Sequence, residues 1–293
     1  MTHKAGFVNI VGNPNVGKST LTNILVGEKL SIITNKAQTT RHRIFGIVNE
    51  PEYQIVFSDT PGVLKPNYKL QESMLRFSKS ALTDADVILY MTDVVETVDK
   101  NSEFLKAVQE QEIPVLLILN KIDLINQEKL DTLMDMWKEL LPKAEFFPVS
   151  ALHSFNVSNL LARIVALLPE GEPYFDKDQL TDKSQRFFVS EIVREKILLF
   201  YQKEIPYSVE VEVEEFKEYE ERVDIRCVIH VARDSQKGII IGHKGEALKK
   251  IGTEARKDIE TFLDKKVFLQ TFVKVSKDWR DKDSLLARFG YGE

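Results

Sequence analysis

Two hydrophobic patterns divide this chain near residue 170. In the first part, short apolar runs alternate with amphipathic segments. "GFVNIVG", "YQIVFSD", "VILYMTD", "PVLLILN" and "EFFPVS" read as strands. Most lack strict alternation, as expected where a strand is buried on both faces. Helical spacing fills the intervals over 18–26, 70–82, 101–111, 129–140 and 156–168. Such alternation predicts an α/β domain with a doubly wound, mostly parallel sheet, whose ligands sit at the carboxyl ends of the strands.

A stretch rich in Pro, Gly and acids, "LLPEGEPYFDKDQLTD", follows and predicts a linker over 171–182, either a loose tether or a fixed interface. The domains expected are therefore 1–170 and 183–293. In the second part the period changes. One helix is expected over 183–203. "YSVEVEVEEF" alternates strictly, placing Tyr207, Val209, Val211 and Val213 on one face and glutamates on the other. "RVDIRCVIHVA" also alternates, so Cys227 reads as core among Val223, Ile225, Ile229 and Val231. A short helix over 234–241, with Asp234 expected as its N-cap, precedes a loop and an apolar stripe at Leu248, Ile251, Ala255, Ile259 and Phe262. "KVFLQTFVKV" closes the series as a third strand. This half predicts an α+β domain.

Composition narrows the class. The 293 residues are 43% hydrophobic and 29% charged, as in globular proteins. A net charge of -5 excludes a global attraction to nucleic acid, so any basic surface must be local. One cysteine excludes an internal disulfide framework and fits a reducing compartment. No apolar run approaches the ~20 residues of a membrane span. The start has no signal-peptide layout. A cytoplasmic protein is expected.

The chemistry begins at "GNPNVGKS", where Gly12, Asn13, Pro14, Asn15, Val16, Gly17, Lys18 and Ser19 match G-x-x-x-x-G-K-[ST] between a strand and a helix. Backbone N–H groups there wrap phosphates, the Lys18 ammonium reaches the β/γ-phosphates, and the Ser19 hydroxyl binds Mg²⁺. Thr20 continues the helix start. "DTPG" ends another strand: the Asp59 carboxylate is placed to hold Mg²⁺ and the Gly62 N–H to meet a γ-phosphate, with Thr60 and Pro61 between them. Alone this tetrapeptide is an ordinary turn. "NKID" ends "PVLLILN". The two oxygens of Asp123 match the N1–H and 2-amino donors of guanine and would be left unpaired by adenine, which disfavours an ATP-driven motor. Asn120 would tie the base to the phosphate loop, and the Lys121 stem would cover its face. In "SAL", which is uninformative by itself, the Ala151 N–H after Ser150 is placed for guanine O6.

In this order the motifs resemble the GTP-binding domain of the translation-factor class of P-loop GTPases, over about residues 5 to 170. That resemblance implies that "QTTRH" is the γ-phosphate switch and that Thr40 completes the Mg²⁺ shell. Segments 34–43 and 62–80 would change shape on hydrolysis. Where Ras-type enzymes carry a water-orienting glutamine, this chain has Val63, which cannot hydrogen-bond water. GTPases that combine such a residue with an asparagine at the position of Asn15 often hold K⁺, so potassium-dependent hydrolysis is an expectation; otherwise Asn15 merely satisfies its own loop.

"IIGHKGEALKKIG" is the second glycine loop. Helix, G-x-x-G, helix and strand form the core of a KH domain, and the helix and hairpin before it give the type II order. Gly242 and Gly245 let a sugar-phosphate chain lie against backbone, His243 and Lys244 add donors, and Lys249 and Lys250 leave the apolar stripe. From Arg233 to Lys282, 13 Lys/Arg stand against 8 Asp/Glu, a local basic surplus. The glutamates at 210, 212 and 214 argue against RNA on their side. A GTPase domain followed by a type II KH domain resembles the Era family, bacterial GTPases of small-subunit ribosome assembly. The resemblance implies binding to the 3′ end of 16S rRNA and to the immature 30S particle, peripheral association with the cytoplasmic side of the membrane, and a monomer. The alternative is a GTPase whose second domain docks a protein or membrane partner. A tRNA-modifying GTPase would need extra domains or a catalytic cysteine.

Overall fold

A computed structural model describes residues 2–96 and 101–292. It divides into two units, Met1–Asn67 with Gln71–Asp182 and Tyr68–Leu70 with Lys183–Glu293. In the first unit six strands lie in the order β2-β3-β1-β4-β5-β6: β1 (Lys4–Gly12), β2 (Ile44–Asn49), β3 (Tyr53–Asp59), β4 (Val87–Asp93), β5 (Val115–Asn120) and β6 (Glu145–Pro148). Neighbours are parallel except β2, which runs antiparallel to β3. All seven residues of β4 are buried, which explains its unbroken apolar run. Helices α1 (Lys18–Val26) and α5 (Val157–Leu167) cover one face; α2 (Lys69–Thr83), α3 (Ser102–Gln109) and α4 (Gln127–Leu140) cover the other. β1, β3, β4 and β5 all deliver their C-terminal residues, Gly12, Asp59, Asp93 and Asn120, to one edge of the sheet.

β2 was not among the expected strands. Its apolar run "IFGIVN" is separated from β3 by Glu50, Pro51 and Glu52, a turn that the Glu50 N–H closes on Tyr53 O at 2.9 Å. The segment expected as a linker lies along β2. Ile47 N donates to Leu180 O at 2.8 Å, and Phe45 N to an Asp182 oxygen at 2.9 Å. The buried Gln54 side chain accepts from Tyr174 N and Phe175 N and donates to Phe175 O, all within 3.0 Å. This shields an edge strand that would otherwise present unpaired backbone groups.

The second unit contains α6 (Gln185–Phe200), the turn α7 (Ile205–Ser208), β7 (Val209–Glu218), β8 (Arg222–Val231), α8 (Asp234–Ile241), α9 (Glu246–Leu263), β9 (Lys266–Val275) and α10 (Asp283–Arg288). The sheet order is β7-β8-β9, with β8 antiparallel to β7 and parallel to β9. A parallel return needs a crossover, which α8 and α9 supply. Val223, Ile225, Cys227, Ile229 and Val231 face α6 and α9 in the core, as their alternation requires. Burial pushes the Cys227 thiol up to about 12, far from a reactive thiolate.

Three expectations need correction. Tyr207 belongs to α7, not to the strand, because Pro206 favours a helical first turn. Asp234 is the first residue of α8 rather than its cap; Gln236 Oε1 accepts from Ala232 N and Arg233 N instead. The glutamates of β7 do not form one open acidic face. Glu210 is buried and accepts from Tyr291 OH at 2.7 Å, and Glu212 accepts two bonds from Arg288 at 2.7 and 2.8 Å. The C-terminal segment therefore covers part of that face, with Trp279 fully buried and its indole N–H on Ser208 O.

Candidate functional site

The loop after β1 is shaped by glycines where nothing larger fits. At Gly12 (φ 146°) a Cβ would stand 2.0 Å from Met91 O, and at Gly17 (φ 104°) 2.3 Å from the Asn120 amide nitrogen. Lys18 is buried and folds back over the loop, donating to Gly12 O at 3.0 Å and Asn13 O at 2.7 Å. Desolvation lowers its pKa to about 8, against the raising influence of Asp59 and Glu96. A buried ammonium of this kind fits an anionic ligand such as a phosphate. A cavity of about 350 Å³ opens here, lined by Asn15, Gly17, Ser19, Thr20 and Lys121 among others.

Three oxygen-bearing side chains from separate segments meet beside Lys18. Ser19 Oγ donates to Asp59 Oδ2 at 2.7 Å and lies 2.8 Å from Thr40 Oγ1, which is 3.5 Å from the same carboxylate oxygen. Asp59 is fully buried, and its Oδ1 is without a hydrogen-bond partner. Burial raises the Asp59 pKa despite the hydroxyl bonds and the Lys18 charge that oppose it. An all-oxygen cluster with a buried carboxylate fits Mg²⁺. Gly62 packs so closely that a Cβ would lie 2.6 Å from Pro14 Cα. Val63 is buried, and its N–H donates to Gly12 O at 3.1 Å, so it offers no group to a water.

At the other end of the groove, Asn120 joins two loops. Its amide donates to Val16 O at 2.8 Å and accepts from Ala151 N at 2.9 Å. Ser150 Oγ fixes Asp123 by donating to Oδ1 at 2.5 Å. Lys121 (φ 63°) stretches back to Asn15 O at 2.7 Å and Asp93 Oδ2 at 2.5 Å. Asn15 (φ 66°) donates to Asn35 O at 3.3 Å. Every residue expected in the nucleotide site is thus gathered at one edge of the sheet, with some roles altered. The Thr60 hydroxyl anchors the turn on Ile10 O at 2.7 Å, and Pro61 O accepts from Ser78, so both are supports. The Ala151 N–H expected at guanine O6 is used by Asn120.

In the second unit, Gly242 (φ 71°) and Gly245 (φ 81°) bracket a 3-10 turn over His243–Gly245, with Lys244 also left-handed. A Cβ on Gly242 would stand 2.6 Å from the Ala247 Cβ. His243 and Lys244 project from the turn, both exposed. Lys249 and Lys250 are exposed too, and Lys250 lays its ammonium 4.5 Å over the Phe200 ring.

Two family models match the chain: the 50S ribosome-binding GTPase family over residues 7–121 and the KH domain family over 204–280. GTPase Era of Staphylococcus haemolyticus is 43% identical over 99% of this chain and 98% of its own length. The chain belongs to the Era family of GTPases. GTPase Era of Staphylococcus epidermidis is 42% identical with the same coverage. A crystal structure of Era in complex with MgGDPNP and nucleotides 1506-1542 of 16S ribosomal RNA superposes at TM-score 0.95, with 41% identity, over 99% of this chain and 100% of that one. A single-residue variant of Aquifex aeolicus Era bound to GDP.AlF4- superposes at 0.94, with 40% identity and the same coverage.

As an Era-family protein the chain is a GTPase with a C-terminal KH domain. Several supports of its site lie outside the sequence motifs. Asp93 holds Lys121 and accepts from the Val95 and Glu96 N–H groups at 2.9 Å. Asn101 donates to Val63 O at 3.0 Å and to Asn13 Oδ1. Asp93 could have been noticed as the acid ending "VILYMTD", in the same place as Asp59. Asn101 had no local signal.

Proposed function

We propose that this Era-family GTPase is a switch that binds the 3′ end of 16S rRNA through its G-x-x-G loop and acts in maturation of the 30S subunit. The observation that carries this reading is the union, in one chain, of the Lys18–Ser19–Asp59 cluster with the Gly242–Gly245 turn. An Era structure of 0.95 TM-score was solved with both a Mg-nucleotide and 16S rRNA.

In this reading Gly12 to Thr20 wrap the phosphates, Asp123 selects guanine, and Lys121 covers the base. Ser19, Thr40 and Asp59 would hold Mg²⁺, which when bound supplies positive charge against the phosphate oxygens. Lys18 keeps a proton on Nζ facing the β/γ-phosphates. The Gly62 N–H would meet the γ-phosphate, and loss of that phosphate lets segment 62–80 relax. Asn15 is the residue through which K⁺ would act; its amide oxygen is not used in the bond to Asn35. Hydrolysis of equal rate in sodium and potassium buffers would remove K⁺ from this account.

His243 and Lys244 receive the RNA backbone, with Lys249 beside them. Lys250, stacked on Phe200, has a weaker part. The test is a salt titration of binding to the 3′-end RNA. Phosphate contacts make affinity fall steeply with salt. Lys244→Asp should abolish RNA binding and spare GTP turnover. RNA binding that is indifferent to both salt and Lys244 would refute the reading. A cytoplasmic monomer with peripheral membrane attachment belongs to the same proposal. No helix among the described residues is long and apolar enough to cross a membrane, so flotation with vesicles and light scattering are its tests.

A further inference from the structure

The three-stranded sheet of the second unit has an outer face that turns away from α6 and α9. On β9 the outward row is Lys266, Phe268, Gln270, Phe272 and Lys274; the inward row, from Val267 to Val275, faces the core. Register sets Arg222, Asp224, Arg226, Val228 and His230 of β8 beside that outward row. The C-terminal segment covers the β7 side and reaches His230 at the end of β8. There it neutralises Glu210 and Glu212, and it lays Phe289 against His230 at 4.8 Å between ring centroids.

The β9 side is left open. Phe268 is 50% exposed and Phe272 49%. Two half-exposed aromatic rings stand on one face, four residues and about 13 Å apart, and forgo the burial that apolar side chains of this size ordinarily gain. Lys266 and Lys274 end the row and form no ion pair among the described residues. Arg226 sits 6.0 Å over the Phe272 ring and pairs with Glu215 at 3.3 Å, while Arg222 pairs with Asp224 at 2.7 Å. Both carboxylates near the row are therefore matched by arginines, and the two lysines remain in excess.

Exposed aromatic rings that offer π-faces, flanked by cations that track a backbone, form the platform on which single-stranded bases stack. From this we infer that the outer face of β9 is a second RNA-contact surface, with Phe268 and Phe272 stacking bases and Lys266 and Lys274 meeting phosphates. The inference rests on the rRNA-binding reading above and deepens it. A G-x-x-G loop clamps about four nucleotides, far fewer than the 1506-1542 stretch present in the Era complex. The loop lies on the helical side of the sheet. β9 is an edge strand directly under α9, where a Cβ on Gly252 would touch Thr271 Oγ1 at 3.6 Å. An RNA leaving the loop thus has a short path round that edge to the open face.

The test uses the full-length protein with two RNAs: the 1506-1542 sequence and a piece of about four nucleotides that fills only the loop. Phe268→Ser with Phe272→Ser should bind the long RNA at least about tenfold more weakly and the short one unchanged. Phe268→Tyr with Phe272→Tyr, which keeps the rings, should bind both as the parent does. GTP turnover and thermal unfolding check the fold of each variant. Equal long-RNA affinity in the Ser variant overturns the inference, as does an equal loss for both RNAs. Intact RNA binding with lost binding to 30S particles would make the face a protein-docking surface, which also overturns it. A parent protein that binds neither RNA refutes the rRNA-binding reading itself and this inference with it. Failure of the inference alone leaves short-RNA binding and its Lys244 dependence in place.

Discussion

Replacing Asn120 by alanine should damage the nucleotide site more than any contact with the base accounts for. Asn120 is only 3% exposed, and its amide makes two bonds, to Val16 O at 2.8 Å and from Ala151 N at 2.9 Å. Alanine leaves a carbonyl and an N–H buried without these partners, at about 1–3 kcal/mol each. The total, roughly 2–6 kcal/mol, falls partly on the fold and partly on the affinity for nucleotide, since these bonds hold the phosphate loop and the base loop together. At 1.4 kcal/mol per decade this corresponds to about 30- to 20,000-fold if all of it appeared in GDP affinity. Urea unfolding measures the first share and displacement of a fluorescent GDP measures the second. Asn120→Asp should not rescue, because it turns an acceptor toward Val16 O. Should both shares together stay within about 0.5 kcal/mol of the parent, as for a surface substitution, the bridging role of Asn120 is wrong.

Other outcomes follow from single contacts. Gly252→Ala should stabilise the second unit by about 0.5–1 kcal/mol in urea, because the added Cβ meets Thr271 at an ordinary 3.6 Å and glycine is costly within a helix. A loss of stability would mean that α9 and β9 pack more tightly than the structure has them. Tyr291→Phe should cost about 1–2 kcal/mol by leaving the buried Glu210 carboxylate without its hydroxyl donor, seen as a lower unfolding midpoint. Burial holds the His230 pKa below its ordinary value near 6.5, against the pull of Glu212 at 3.1 Å. The unfolded chain therefore takes up that proton first. His230 contributes stability fully above about pH 6.5 and loses it as the pH falls from there through the folded value. His230→Gln should flatten that part of the stability profile.

The fold of the first unit was legible because its strands are buried on both faces and its motifs end them; β3 and β4 were bounded to the residue. β2 was not, since an edge strand with Gly46 in its middle carries a weak apolar signal. The nucleotide site was legible in its loops, whose residue types follow from phosphate and guanine chemistry. Its supports were harder. Asp93 and Asn101 act through contacts with Lys121, Asn13 and Val63 that only tertiary structure creates. The glutamates of β7 show the same limit. Alternation put them on the face opposite Val209, Val211 and Val213, but nothing local announced that Tyr291 and Arg288, some eighty residues later, would return to cover Glu210 and Glu212. The outward row of β9 lay in plain sight as "KVFLQTFVKV", yet its half-exposed phenylalanines became informative only once the sheet had an inside.

The account stands or falls on communication between nucleotide and RNA. The most direct measurement is the affinity of the full-length protein for the 1506-1542 RNA when empty, with GDP, and with a non-hydrolysable GTP analogue, all at one salt concentration. Coupling between two sites is commonly worth 1–3 kcal/mol, so the analogue-bound form should hold the RNA about fivefold or more tighter than the GDP form. Equal affinity in all three states would contradict a switch and leave two binding domains that merely share a chain.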